Sequence, residues 1–387
     1  MTMTTSSAAT AAGHRPPIVT RPLLLRFVSV LGASISFYLL LSVVPRYAAA
    51  SGAGLATGSL MAASVAGELA APRLVARFGY RVALAAGLLL LGTPALVLTA
   101  SRSLVWIIAV CLVRGLGFGF TVVAGGALTA SLIPAERRGE GLALVGIVSG
   151  IPSLVGLPLG VWLAAHLGYT PVCIAAALAP LAAIASVPGL PDREPNQGRA
   201  HGVVAGLRDA RLLRPTLVFA ATTTATGILV TFLPLAVPAT ATALVTVALF
   251  VQPAAATCGR LVAGRLGDRH GTARLILPGL LTAAAGTLLT SFTHSPVAVV
   301  SGVAVFGIGF GLTSNASSTL MYSRVATSEY GVVSALWNLA YDAGMGAGAA
   351  GFGVLSARTG YPPAFALTAA LMLTALVPAL RDRRSGQ

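Results

Sequence analysis

Long apolar runs alternate with short polar breaks along all 387 residues. A helix needs about 20 apolar residues to cross the hydrocarbon of a bilayer. Twelve runs meet that length, at roughly 23–45, 53–72, 82–100, 104–130, 142–165, 170–189, 215–237, 241–263, 275–292, 296–322, 331–356 and 362–380. A lipid-exposed segment must satisfy its own backbone, which helices do. The pattern therefore predicts an all-α membrane protein with twelve transmembrane helices. A polar stretch, PGLPDREPNQGRAHGVVAGLRDARLLR from Pro188 to Arg214, divides the runs six and six. The expected organisation is a tail over 1–22, a six-helix bundle over 23–189, a linker over 190–214, a second bundle over 215–380 and a tail over 381–387. Within the linker, Gly206 to Leu213 is expected to form a short surface helix.

The two groups of six are copies. Gly259 answers to Gly67, a shift of 259 − 67 = 192 residues. At the same shift Arg269 answers to Arg77 and Gly271 to Gly79. Gly307-Ile308-Gly309-Phe310-Gly311 answers to Gly115-Leu116-Gly117-Phe118-Gly119, Gly331 to Gly139, and Gly360-Tyr361 to Gly168-Tyr169, with Pro363 opposite Pro171. A gapless parallel repeat in a membrane requires an even number of spans per copy, which six satisfies.

The break after the eighth run reads GRLVAGRLGDRHGTAR, from Gly259 to Arg274. Its Gly264, Asp268, Arg269, Gly271 and Arg274 follow G-x-x-x-D-R-x-G-x-x-R. This spacing resembles the loop between the second and third helices of each half in the major facilitator superfamily of secondary transporters. The earlier copy, GELAAPRLVARFGYR, keeps Arg77 and Gly79 but has Pro72 and Ala76 where the later one has Gly264 and Asp268. It thus lacks the acid that the family uses at the gate. The resemblance implies two pseudo-symmetric six-helix bundles around one central site. It further implies that the first, fourth, seventh and tenth helices line the cavity. Arg114, in CLVRGLGFGF, is similar to the arginine of the family's fourth-helix motif. Gly146, Gly150, Pro152, Gly156, Pro158 and Gly160 resemble the Gly- and Pro-rich fifth helix of its antiporters.

Composition narrows the class further. Charged residues make up 9% of the chain, against roughly a quarter in soluble domains, and hydrophobic ones 56%. The net charge of +15 comes from 25 arginines with no lysine. They sit in short breaks rather than on an aromatic-interleaved face, so nucleic acid is not the expected partner. With both ends inside, the inner loops and tails hold Arg15, Arg21, Arg73, Arg77, Arg81, Arg137, Arg138, the linker arginines, Arg265, Arg269, Arg274, Arg324, Arg381, Arg383 and Arg384. The outer loops hold only Arg46, Arg102 and Arg358. The excess of basic residues on one side places both termini in the cytoplasm of a plasma-membrane protein. No cleaved signal peptide is expected, because the first apolar run is already of span length. Cys111, Cys173 and Cys258 lie in apolar runs without metal-ligand spacing, and His14, His166, His201, His270 and His294 have no second ligand at helical spacing. Neither a metal, a cofactor nor an enzymatic nucleophile–base pair is expected.

The informative residues are the ionisable ones inside spans, which are costly in hydrocarbon and face a cavity or a partner. They are Glu68, Arg114, Arg260 and Asp342; Arg26, near the start of the first span, is expected to snorkel to the interface. Asp342 lies eleven residues into the eleventh run, near the midplane. Its repeat partner is Gly150, so symmetry does not demand it. A buried aspartate is protonated or paired, which fits either a proton carrier or a fixed contact with Arg114 or backbone. Glu68 and Arg260 are expected at gate or inter-helix contacts, with Glu68 the second candidate for the proton. Tyr38, Thr222, Thr223, Thr224, Asn315, Ser318, Trp337, Asn338 and Tyr341 are the candidate cavity wall. Most Thr and Ser back-bond to their own helix, which leaves Asn315, Asn338 and Tyr341 as the stronger candidates.

The expected function is a monomeric secondary transporter, coupled to protons, that exports small organic compounds by alternating access. Asp342 carries the proton, Arg114 tunes it, and Gly264, Asp268, Arg269, Gly271 and Arg274, with Arg77, Gly79 and Arg260, control the gate. Export is favoured by the resemblance of the fifth helix and of the Arg114 motif. Uptake of a sugar, organic acid or other nutrient, and a non-transporting scaffold or receptor, stay open.

Overall fold

The computed structural model describes residues 19–133, 138–192, 203–238, 241–326 and 329–385. These residues form helices throughout: α1 (Arg21–Tyr47), α2 (Ala49–Val97), α3 (Leu104–Leu132), α4 (Arg138–Leu167), α5 (Tyr169–Ala183), α6 (Val203–Arg208), α7 (Ala210–Ala236), α8 (Thr242–His270), α9 (Ala273–Thr290), α10 (Pro296–Ser323), α11 (Tyr330–Thr359), α12 (Tyr361–Met372) and α13 (Leu376–Ser385). A 3-10 turn, Ile184–Gly189, completes the crossing begun by α5, and another, Leu373–Ala375, joins α12 to α13.

Among the described residues, ten helices are long and apolar enough to cross a membrane. The second of these is 49 residues long and is two spans in one, broken at Gly79 (φ 83°, ψ 173°). The twelfth span is α11, 30 residues long, whose hydropathy is lowered by its glycines and by Asn338, Tyr341 and Asp342. Twelve crossings result, in two six-helix bundles. The details differ from the sequence reading at three places. The short linker helix is Val203–Arg208, and α7 already starts at Ala210, within the expected linker. The last helix runs to Ser385 and buries Asp382 beside Arg324 (3.1 Å) and Arg214 (4.0 Å), where an open tail was expected. Arg26 does not snorkel. It is buried, and its guanidinium donates to the Gly125 carbonyl (3.1 Å), Thr129 Oγ1 (3.2 Å) and Ser29 Oγ (2.7 Å), tying α1 to α3.

The repeat is written in the backbone. The glycines with positive φ among the described residues are Gly79 (83°), Gly168 (84°), Gly271 (85°) and Gly360 (79°), two pairs separated by 192 residues. Each stands where one span turns into the next, in a conformation that a side chain disfavours. Helix packing repeats too. A Cβ on Gly119 would strike the Ser64 carbonyl, and one on Gly311 the Ala256 carbonyl, again 192 residues on. Gly115 meets Leu60 as Gly307 meets Gln252, and Gly67 meets Leu116 as Gly259 meets Ile308. Without a hydrophobic drive between helices in lipid, such backbone-on-backbone contact is what holds spans together.

Between the halves, α2 packs on α11 and α4 on α8, while α1 and α2 also touch α7. Contacts from the membrane middle toward the face opposite the arginine-rich loops close the first seam. Thr231 Oγ1 and Thr57 Oγ1 lie 3.0 Å apart, both buried. Small residues interlock beside them, Gly54 with Ala349, Gly58 with Ala350, and Gly346 with Met61. The arginine-rich face carries side-chain links within each half. Asp192 accepts from the Arg81 amide (3.1 Å) in the first half, and Asp382 binds Arg324 in the second.

Candidate functional site

Polar side chains converge where the two halves meet in the membrane. From the first half come Tyr38 on α1 and Ser64 and Glu68 on α2. From the second come Arg260 on α8 and Trp337, Tyr341 and Asp342 on α11. Ser64 and Glu68 are one helical turn apart and share a face. Trp337 and Tyr341 are likewise four residues apart, which aims both rings the same way.

Asp342 is 3% exposed. The Ser64 hydroxyl stands beside it across the seam, and Glu68 is close enough to interact with its charge. Neither Ser64 Oγ nor Asp342 Oδ2 completes a hydrogen bond, although both atoms are buried. Tyr38 and Tyr341 face each other between the halves, and Arg260 lies within electrostatic range of both phenols. Among the described residues no ion pair joins Asp342 or Glu68 to an arginine. The cluster thus holds two carboxyl groups and one guanidinium with nothing fixed between them. An unpaired charge in hydrocarbon is costly, which sets these groups apart from the apolar spans around them.

Aromatic rings form the wall of this cluster in the second half. Phe219 on α7 stacks on Trp337 (4.7 Å, 19°) and lies 6.0 Å from Phe310 on α10. Tyr341 completes the group, 6.0 Å from Trp337 and 6.3 Å from Phe219. The Arg260 guanidinium sits over Phe310, 5.7 Å from the ring centre, within cation–π range. In the first half Phe37 stacks on Phe118 (3.8 Å) and meets Tyr38 edge-on (5.1 Å). Trp337 Nε1 is a third buried polar atom without a partner.

Several expected site residues lie elsewhere. Arg114 does not reach Asp342. It is 1% exposed and donates to the Ser36 carbonyl (3.0 Å) and the Leu91 carbonyl (3.3 Å), joining α1, α3 and the second span of α2. Thr222, Thr223 and Thr224 all bond backward to their own helix, at 2.8, 3.0 and 2.8 Å, and Thr223 also bonds the Ala340 carbonyl (2.9 Å). Ser318 bonds the Asn315 carbonyl (3.0 Å). Asn315 and Asn338 are half-buried. Arg77, Arg269 and Arg274 are exposed, Gly79 and Gly271 make the turns, and Gly264 has open space around it. The Asp268 side chain lies outside the described residues. Sequence reasoning missed Ser64, Phe219 and Phe310. The first is legible as the residue one turn before Glu68, and the third as the aromatic of the repeated Gly-Ile-Gly-Phe-Gly. Nothing in the sequence marks Phe219.

The profile of the Major Facilitator Superfamily matches residues 23–349 and, in a second match, 235–387. The chain belongs to that superfamily. It is accordingly a multi-pass membrane transporter rather than an enzyme. It is similar to a chloramphenicol resistance protein of Streptomyces lividans, 31% identical over 322 residues, covering 78% of this chain and 81% of the relative. Among solved structures, a POT family transporter in complex with 5-aminolevulinic acid superposes with a TM-score of 0.76 at 12% identity, covering 94% of this chain and 96% of the other. A bacterial homologue of the human lysosomal transporter Spinster, inward-facing and unoccupied, gives 0.73 at 12% identity over 94% and 96% of the two chains. The nucleoside transporter NupG gives 0.72 at 12% identity over 94% and 99%. At such identities the structures speak for the fold alone.

Proposed function

We propose that this transporter exports small organic compounds against an inward proton flow, by alternating access of its two halves. The observation that carries this reading is Asp342. It is a deeply buried carboxyl group at the seam between the halves, with one free oxygen, the Ser64 hydroxyl beside it and Glu68 within electrostatic range. A group there can take a proton from one side and release it to the other when the seam reopens. Glu68 is the second acid, contributed by the opposite half. Protonating either carboxyl group removes repulsion across the seam, so proton occupancy and the packing of the halves are linked.

Arg260 lies against the aromatic wall, within electrostatic range of Tyr38 and Tyr341. Arg114 acts at a distance, by fixing α1 against its neighbours rather than by touching Asp342. Tyr38, Tyr341, Trp337, Asn315 and Asn338 offer substrate contacts. Gly264, Asp268, Arg269, Gly271 and Arg274, with Arg77 and Gly79, serve the gate on the arginine-rich face. Export, rather than uptake, is supported by the relative from Streptomyces lividans, a chloramphenicol resistance protein. The protein is read as a monomer in the plasma membrane with both termini in the cytoplasm.

The test uses purified protein in liposomes with a pH-sensitive dye, challenged with chloramphenicol and a panel of hydrophobic drugs. Drug-driven proton flux is expected in the wild type, and the Asp342→Asn variant is expected at the level of empty liposomes. Equal flux in both overturns the role of Asp342. No flux with any drug overturns proton-coupled export.

A further inference from the structure

Three buried polar atoms in the central cluster lack partners, and the proton reading uses two of them, Ser64 Oγ and Asp342 Oδ2. Trp337 Nε1 is left over. Buried donors without acceptors are rare in native proteins, and each one calls for an explanation. The other tryptophans have none to give. Trp106 donates to the Val97 carbonyl (2.9 Å), and Trp162 is 45% exposed and stacked on His166.

The ring of Trp337 is held firmly. Phe219, Trp337 and Tyr341 have centroids 4.7, 6.0 and 6.3 Å apart, and Trp337 is within 19° and 18° of parallel with its two neighbours. A ring so packed cannot swing to find a distant carbonyl. It sits four residues from Tyr341, which faces Tyr38 of the other half, so the wall borders the seam that must open during transport. An N–H fixed in an aromatic wall is suited to a ligand that is itself flat and apolar and brings a hydrogen-bond acceptor.

We propose that the Trp337 indole N–H is a specificity-determining donor of the central site, anchoring aromatic compounds that carry a carbonyl or nitro oxygen. This rests on the export reading for its biological meaning, but not for its test. The acceptor oxygen takes the N–H, and the ligand ring lies along the wall at Tyr341, with Phe219 buried behind Trp337. A site built to hydrogen-bond its ligand discriminates against an analogue without the acceptor, because the buried donor is then left unpaired.

The experiment measures equilibrium binding to solubilised full-length protein, where no proton gradient exists. The probes are 4-acetylbiphenyl and its near-isostere 4-isopropenylbiphenyl, which lacks the acceptor. Wild type is expected to bind the ketone about tenfold more tightly than the alkene, as one hydrogen bond allows. In Trp337→Phe, which keeps a ring in the wall, that preference disappears while alkene binding is retained, and retained binding shows the variant is folded. Independently of that variant, a protein carrying Trp106→Phe and Trp162→Phe has Trp337 as its sole tryptophan, and the ketone, not the alkene, is expected to shift its emission. Equal binding of the two probes by wild type overturns the proposal, as does binding of neither, or an unchanged preference in Trp337→Phe. Trp337-dependent ketone binding without drug-driven proton flux in liposomes leaves the anchor standing and removes the export reading. Flux with an unchanged preference does the reverse.

Discussion

Gly119 and Gly311 press on the carbonyls of Ser64 and Ala256, two contacts related by the 192-residue repeat, and the chain keeps a glycine at both. Asp342, by contrast, has Gly150 at its repeat position, Arg114 has Phe306, Trp337 has Val145, and Glu68 is answered by the opposite charge of Arg260. The halves therefore share a scaffold and divide the chemistry. Each bundle needs the same close helix approaches, because lipid offers no hydrophobic drive to hold looser ones. The cluster between them, Asp342 and Glu68 with Arg260, is built once and is not copied in each half. Where a residue obeys the repeat, it points to architecture. Where an ionisable residue violates it inside a span, it points either to a lock between helices, as Arg26 and Arg114 do, or to the cluster between the halves, as Asp342 does.

The sharpest way to break this contrast is to move the singular acid. Asp342→Asn is expected to abolish drug-driven proton flux, and adding Gly150→Asp to it is not expected to restore any. The transplanted carboxyl group lacks the Ser64 and Glu68 that face α11. Recovery of flux in the liposome assay would show that the site tolerates either half and that the asymmetry is incidental.

Next in size is the scaffold. Gly119→Val and Gly311→Val are expected to lower stability by similar amounts, on the order of 1–3 kcal/mol each as overpacked interiors do. Gly351→Ala, where the structure leaves open space, is expected to be neutral. Thermal unfolding of the purified variants measures all three. A large loss in one half alone would deny that the contacts are equivalent.

Glu68→Gln is expected to act more gently than Asp342→Asn, slowing drug-driven flux several-fold while leaving it above background, because Asp342, the proposed carrier, remains. Flux as low as in Asp342→Asn would make the two acids a single obligatory unit. The smallest effect belongs to Thr57→Val, which removes the hydroxyl facing Thr231 across the seam. A hydrogen bond contributes about 0.5–1.5 kcal/mol net, so the population closed on that face should fall by up to about tenfold. Spin-label distances between positions 103 and 358, exposed on opposite halves, report it.

Much of this was legible along the chain. Apolar run length gives the twelve crossings, since the thickness of a bilayer fixes the length of a helix that spans it. The turns at Gly79, Gly168, Gly271 and Gly360 were legible as repeated glycines, because few other residues tolerate their φ. Asp342, Glu68 and Arg260 stood out because charge inside an apolar run is rare. Arg26 and Arg114 were misjudged for a related reason. A charge in a span announces that it has partners but not which, and both arginines satisfy themselves on backbone carbonyls of neighbouring helices rather than on an acid. Phe219 was invisible, since an aromatic in a membrane helix has the same composition signal whether it faces lipid or a site.

By itself, then, the sequence determined the number of spans, their division into two copies, the glycines repeated in each copy and the short list of midplane charges. These follow from local hydropathy, backbone conformation and the repeat, which are properties of neighbouring residues. Only the tertiary structure decided that Ser64 stands by Asp342, that Glu68 from the other half lies near it, that Arg114 does not, and that Trp337 is held in a ring of aromatics with its N–H unpaired. Those facts depend on how α2 meets α11 and how α7 and α10 meet α11, and a helix's rotation about its own axis is set by packing against its neighbours.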